Sequence, residues 1–182
     1  MAATTTIDYK TSVTDGSNPI DKADADAPVL VSSARNQCLV PGQVLTVSAT
    51  NSIAYAPRQL TPDANGDPKT VVTHAPGAWL GKSNVTAPIG SLLGVFLNDD
   101  DPQSAMAPAA LDYSTVKARD YDGVTPELGQ VFFIGTGVSS TGTPHAITVP
   151  QGATRLYFGV MDDYQWNNNS GTLAVTMTVK SP

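Results

Sequence analysis

Apolar and polar residues alternate at a period of two along several short stretches of the chain, the signature of half-buried strands. Cys38-Leu-Val-Pro-Gly-Gln-Val-Leu-Thr-Val-Ser-Ala49 reads as a Pro-Gly turn feeding such a strand. The device recurs in Ile147 to Val160, where one strand ends, the chain turns on Pro150 and Gly152, and another begins. Val29-Leu-Val31, Val71 to His74 and Ala78-Trp-Leu80 are shorter candidates, and Trp79 reads as a core residue. Ser91 to Leu97 is the most continuously apolar segment, which predicts a strand at the centre of a sheet. Gly129 to Gly135 and the C-terminal Thr172 to Val179 complete the set. Between these runs lie turn formers, among them Asn-Gly and Asp-Pro in Thr61 to Pro68. The only faint helical segment is Ala105 to Lys117, which Pro108 keeps short. The pattern predicts an all-β chain, a sandwich or jelly roll of about eight or nine strands.

Residues 1–27 break the pattern, holding Ile7, Tyr9, Val13 and Ile20 among Thr, Ser, Asp and Gly. That is too polar for a core of its own and predicts an extended arm lying on the domain or on a second copy. Residues 28–182 then form one sandwich domain, the number of cores that 182 residues support.

Charge removes several functions. The net charge is −6, with ten basic residues scattered singly, whereas nucleic-acid binding needs them clustered. No apolar run approaches the roughly 18 residues of a membrane span. Met1-Ala-Ala-Thr lacks the parts of a signal peptide, so either that export route is not used or a signal has been cleaved. Cys38 is alone and reads as buried, which excludes an internal disulfide. His74, His145 and Cys38 have no zinc spacing, Gly-x-Ser-x-Gly is missing, and Glu127 is the sole glutamate. An enzyme is not expected.

Candidate chemistry concentrates in Phe158-Gly-Val-Met-Asp-Asp-Tyr-Gln-Trp-Asn-Asn-Asn-Ser-Gly171, a loop between two alternating strands. Oxygens of Asp162, Asp163, Asn167, Asn168 and Asn169 are the donors that a hard divalent cation such as calcium selects. Trp166, among polar residues, offers a flat apolar face to a sugar ring. The bland alternative is a polar hairpin in which the Asn side chains cap backbone groups. Asp99, Asp100 and Asp101 form a second acidic cluster, expected to be solvated.

Four blocks carry a resemblance: Pro41 to Val47, Asn51-Ser-Ile-Ala-Tyr-Ala-Pro57, Gly90 to Leu97, and Asp162 with Asn168-Asn-Ser-Gly171. In this order they resemble the PA-IL-like galactose-binding lectins, small calcium-dependent bacterial lectins with a jelly-roll, galactose-binding-domain-like sandwich. The resemblance implies a Ca2+ held by Asp162, Asn168, Asn169, a backbone carbonyl at Gln165 or Trp166, and the carbonyl of Tyr55. It further implies a galactose-type glycan completing the coordination, with Asp67 and His74 in the loop that supplies sugar contacts. The spacing from Asp162 to the Asn pair is one residue shorter than in those lectins, which brings Asp163 and Asn167 in as alternative ligands. The residues near 100–126 have no counterpart in that family.

The sequence thus predicts a calcium-dependent carbohydrate-binding protein, extracellular or at a cell surface. The alternative from another class is a structural assembly protein, a virion decoration or surface-layer subunit, forming homo-oligomers through the arm.

Overall fold

A computed structural model describes residues 2–8, 29–33, 39–74, 81–162 and 169–180. In chain order the strands are β1 (Ala2–Asp8), β2 (Val29–Ser33), β3 (Val44–Thr50), β4 (Ile53–Ala56), β5 (Gln59–Leu60), β6 (Asp67–Thr73), β7 (Val85–Ile89), β8 (Leu92–Leu97) and β9 (Leu111–Asp112). One helical turn, α1 (Val116–Arg119), follows, then β10 (Gly123–Val124), β11 (Val131–Phe133), β12 (Ala146–Thr148), β13 (Arg155–Val160) and β14 (Ser170–Lys180). The chain is nearly all β, as its periodicity predicts. The helical turn starts at Val116, at the far end of the segment expected to be helical, because Thr115 caps it by accepting the Ala118 amide at 3.1 Å.

Two sheets enclose the core. The first runs β10, β12, β3, β14, with β1 antiparallel along the other edge of β14. β4 continues the line of β3 past a kink at Asn51 (φ +69°), and β5 pairs with it. The second sheet runs β11, β8, β13, β2, and a third, smaller one β6, β7, β9. Alternation decides which face is inward. Leu45, Val47 and Ala49 of β3 and Leu173, Val175 and Met177 of β14 meet Leu156, Phe158 and Val160 of β13 in one buried cluster. β8 lies between β11 and β13 and is buried everywhere but at Leu97, so the apolar run is a central strand. Phe96 stacks on Phe132 with centroids 5.6 Å apart.

Residues 111–124 form a strap over one end of this core. Tyr113 packs on Phe133 and Tyr121 stacks on the buried His145 at 4.1 Å. The Tyr121 hydroxyl donates to the Phe133 carbonyl. Asp120 ties the strap to the 138–140 turn, accepting the Ser140 amide and hydroxyl at 2.7 Å each. The expected arm is described only over Ala2–Asp8, which pairs with β14. Residues 9–27, Cys38 and Trp79 lie outside the described residues. Among the described residues no helix is long and apolar enough to cross a membrane.

Candidate functional site

Tyr55, Asp162 and Asn169, three of the residues expected to carry chemistry, lie where β4 and β13 end and β14 begins. Beyond Val160 the chain stays in register with the turn between β7 and β8: the Gly90 amide donates to the Met161 carbonyl at 2.7 Å, and the Met161 amide to the Ser91 carbonyl at 2.8 Å. The Leu92–Val160 pairing, extended two residues, sets Asp162 opposite Gly90. Gly90 has φ +75°, and a Cβ there would sit 2.4 Å from Cγ2 of the buried Thr61. Only glycine fits that turn. The Thr61 hydroxyl in turn donates to the Ile53 carbonyl at 3.1 Å, which fixes the start of β4 against the same turn.

β14 enters from the other side. Ser170 pairs with Ala54 and Gly171 with Ile53, so the register continued by one residue places Asn169 opposite Tyr55. Gly171 (φ +103°) lets the strands close up, since a Cβ would lie 2.9 Å from the Ser52 carbonyl oxygen. Asn169 is 3% exposed. Its Nδ2 donates to Asp162 Oδ2 at 2.9 Å, while its Oδ1 is buried without a hydrogen-bond partner among the described residues. A buried acceptor left unsatisfied costs about 1–3 kcal/mol. The end of β14 therefore presents an orphaned carbonyl-type oxygen beside a carboxylate, a donor set suited to a hard cation.

Tyr55 links this corner to the next strand. Its hydroxyl donates to Asp67 Oδ2 at 2.9 Å, the Thr70 hydroxyl donates to the same oxygen at 3.1 Å, and the Lys69 amide donates to Oδ1 at 3.0 Å. The Lys69 amide and then the Tyr55 hydroxyl hold the Asp67 carboxyl below its ordinary range. Desolvation, then the hydrogen bond to Asp67, pushes the Tyr55 phenol up. Asp67 is thus an ionised acceptor at neutral pH.

Of the residues singled out in the sequence, the structure brings together Tyr55, Asp67, Asp162 and Asn169. His74 is exposed and follows the opposite end of β6; its amide donates to the Val85 carbonyl, four residues along β7 from the Ile89 that pairs with Asp67, which puts it roughly 13 Å from Asp67. Asp163, Gln165, Trp166, Asn167 and Asn168 lie outside the described residues. The acidic cluster of Asp99 to Asp101 does structural work. Asp101 caps the turn Pro102–Ser104 through the Gln103 amide, Asp99 accepts the Thr154 hydroxyl at 2.9 Å, and Arg155 donates to the Asn98 carbonyl. No group of three or more His, Cys, Asp or Glu side chains able to hold a metal ion is present among the described residues. Gly90 and Thr61, which seat the site, entered the sequence reading only as the start of a resemblance block and of a turn segment; the available signal for their role was a glycine between two apolar runs.

No protein-family model matches the chain, and no curated protein matches it.

Proposed function

We propose that the protein binds carbohydrate in a calcium-dependent manner, at the corner formed by Tyr55, Asp162 and Asn169. The observation that carries this reading is the buried Oδ1 of Asn169, without a hydrogen-bond partner among the described residues, beside the Asp162 carboxylate. A Ca2+ bound there takes oxygen ligands from Asp162, Asn169 and the Tyr55 carbonyl and leaves coordination positions for vicinal sugar hydroxyls. The lectin resemblance adds Asn168 and a carbonyl at Gln165 or Trp166 to that set and favours a galactose-type sugar. Besides ligating the ion, Asp162 then has two tasks: it orients the Asn169 amide and accepts hydrogen bonds from the hydroxyls of the ligand. Asp67, kept ionised by three donors, is the nearby acceptor for a further hydroxyl.

Thermal unfolding with a chelator, then with added calcium, tests the site. Calcium at one hundred times its dissociation constant stabilises the native state by about 2.7 kcal/mol. For a domain of this size that raises the melting temperature by about 5–10 °C. No shift on adding calcium overturns the proposal, and a glycan array with and without calcium reads the sugar class.

A further inference from the structure

A cleft of about 460 Å³ lies beside the segment that carries Asp67, within the volume range of sites for small organic ligands. Its lining comes from four places: the 62–68 segment, Pro88 of β7, the strap with Val116 and Arg119, and the 136–140 segment. Val116 is 72% and Val138 39% exposed, two of six large apolar side chains that the described residues leave in water. Both line this one cleft, together with Pro62, Pro68 and Pro88. The result is an apolar shelf of aliphatic and proline carbons.

Polar groups on the lining have unspent capacity. Asp63 gives Oδ1 to the Asn65 amide at 2.7 Å, leaving Oδ2 uncommitted among the described residues. Arg119 gives Nη1 to the carbonyls of Tyr113 and Ser114, which anchors the guanidinium and leaves Nε and Nη2 uncommitted among the described residues. Asp120 is engaged by Ser140. Two carboxylates against one guanidinium disfavour a polyanion, and a wholly apolar ligand would desolvate Asp63 and Arg119 without giving them partners. A neutral ring with one C–H face and a rim of hydroxyls satisfies both demands.

The location supplies the connection. Gly66, Pro68 and Pro88 line the cleft, Asp67 pairs with Ile89 of β7, and Gly90, the next residue, lies opposite Asp162, so the cleft borders the β7–β8 turn on which the corner is seated. We infer that the cleft is a subsite for the inner residues of a glycan chain whose terminal residue sits at that corner; this rests on the carbohydrate-binding reading above. The strap that forms part of it falls in the segment without a counterpart in the lectins, so the subsite is this chain's own. The protein on this view reads an oligosaccharide rather than a single sugar.

Calorimetric titration of the full chain in saturating calcium with galactose, a galactose-terminated disaccharide and a galactose-terminated tetrasaccharide tests this. The tetrasaccharide is expected to bind about tenfold or more tightly than galactose. Val116→Asp, on an exposed helical turn, is expected to bring that ratio close to one. Val138→Asp serves the same purpose should the first variant lose its cooperative melting transition. Galactose binding with no gain on chain length, or a ratio that both variants leave intact, overturns the cleft alone. If none of the three sugars binds, the carbohydrate reading itself falls and the inference falls with it.

Discussion

Asn169 combines two properties that pull against each other. Its Nδ2 is well placed on Asp162, yet its Oδ1 is buried with no donor among the described residues, so in the absence of a ligand the amide costs the fold part of what it contributes. Asn169→Leu, nearly isosteric, removes the hydrogen bond and the orphaned acceptor together. In chelator its stability is expected to stay within about 1 kcal/mol of the parent, because the two effects offset. The calcium-dependent rise in melting temperature should vanish. A variant that keeps that rise would show that the Asn169 oxygen is not a ligand. Its neighbour Asp162 stood out in the sequence as an oxygen-bearing side chain, and Tyr55 entered only through the lectin resemblance. That Asn169 points back at Asp162 was not legible there, since the bond depends on how far β13 and β14 run before the loop between them, which no local pattern encodes.

At the level of elements, legibility followed length. β3, β8, β13 and β14 are long enough to show alternation or continuous burial, and each was recognisable. The strap was not, because its strands β9 and β10 are two residues each and its helix four, too short for any period. Its anchors are single aromatic contacts, Tyr113 on Phe133 and Tyr121 on His145, which only the folded chain brings together. β1 is the intermediate case: its sequence predicted an extended piece that would lie on something, and the structure makes that partner β14 in seven-residue register. Deleting residues 1–8 strips one edge of β14 of its backbone partners from Thr172 to Thr178. The expected outcome is a melting temperature lower by several degrees together with concentration-dependent association through the bared edge, read by light scattering. Unchanged melting in a strictly monomeric variant would show that β1 contributes nothing to the sheet.

The whole molecule should respond to acid in two steps, and His145 sets the first. The ring is 1% exposed, stacked on Tyr121 of the strap, and neither nitrogen makes a hydrogen bond among the described residues. Burial pulls its pKa below the ordinary histidine value, opposed by the nearby Ile134 carbonyl and the charges of Asp120 and Asp122. A depressed histidine pKa means that the unfolded chain binds the proton more readily than the native one. Its contribution is therefore intact above the unfolded value of about 6.5 and is lost as pH falls below it. The second step comes lower. Asp67, Asp112 and Asp120 have carboxyls held below their ordinary range, led in each case by a backbone amide, from Lys69, Ser114 and Ser140 respectively. Their stabilisation is present above the unfolded carboxyl value of about 3.9 and fades as pH drops through the lower native values. His145→Phe keeps an aromatic ring against Tyr121 and removes the titrating group. Between pH 7.5 and 5.5 the parent is expected to lose several degrees of melting temperature and the variant almost none, while both fall alike below pH 4. Equal losses in the two proteins over the upper window would place the first acid step elsewhere. Because the strap over His145 also carries Val116 and Arg119, the same acidification should weaken binding of the longer sugar before that of galactose.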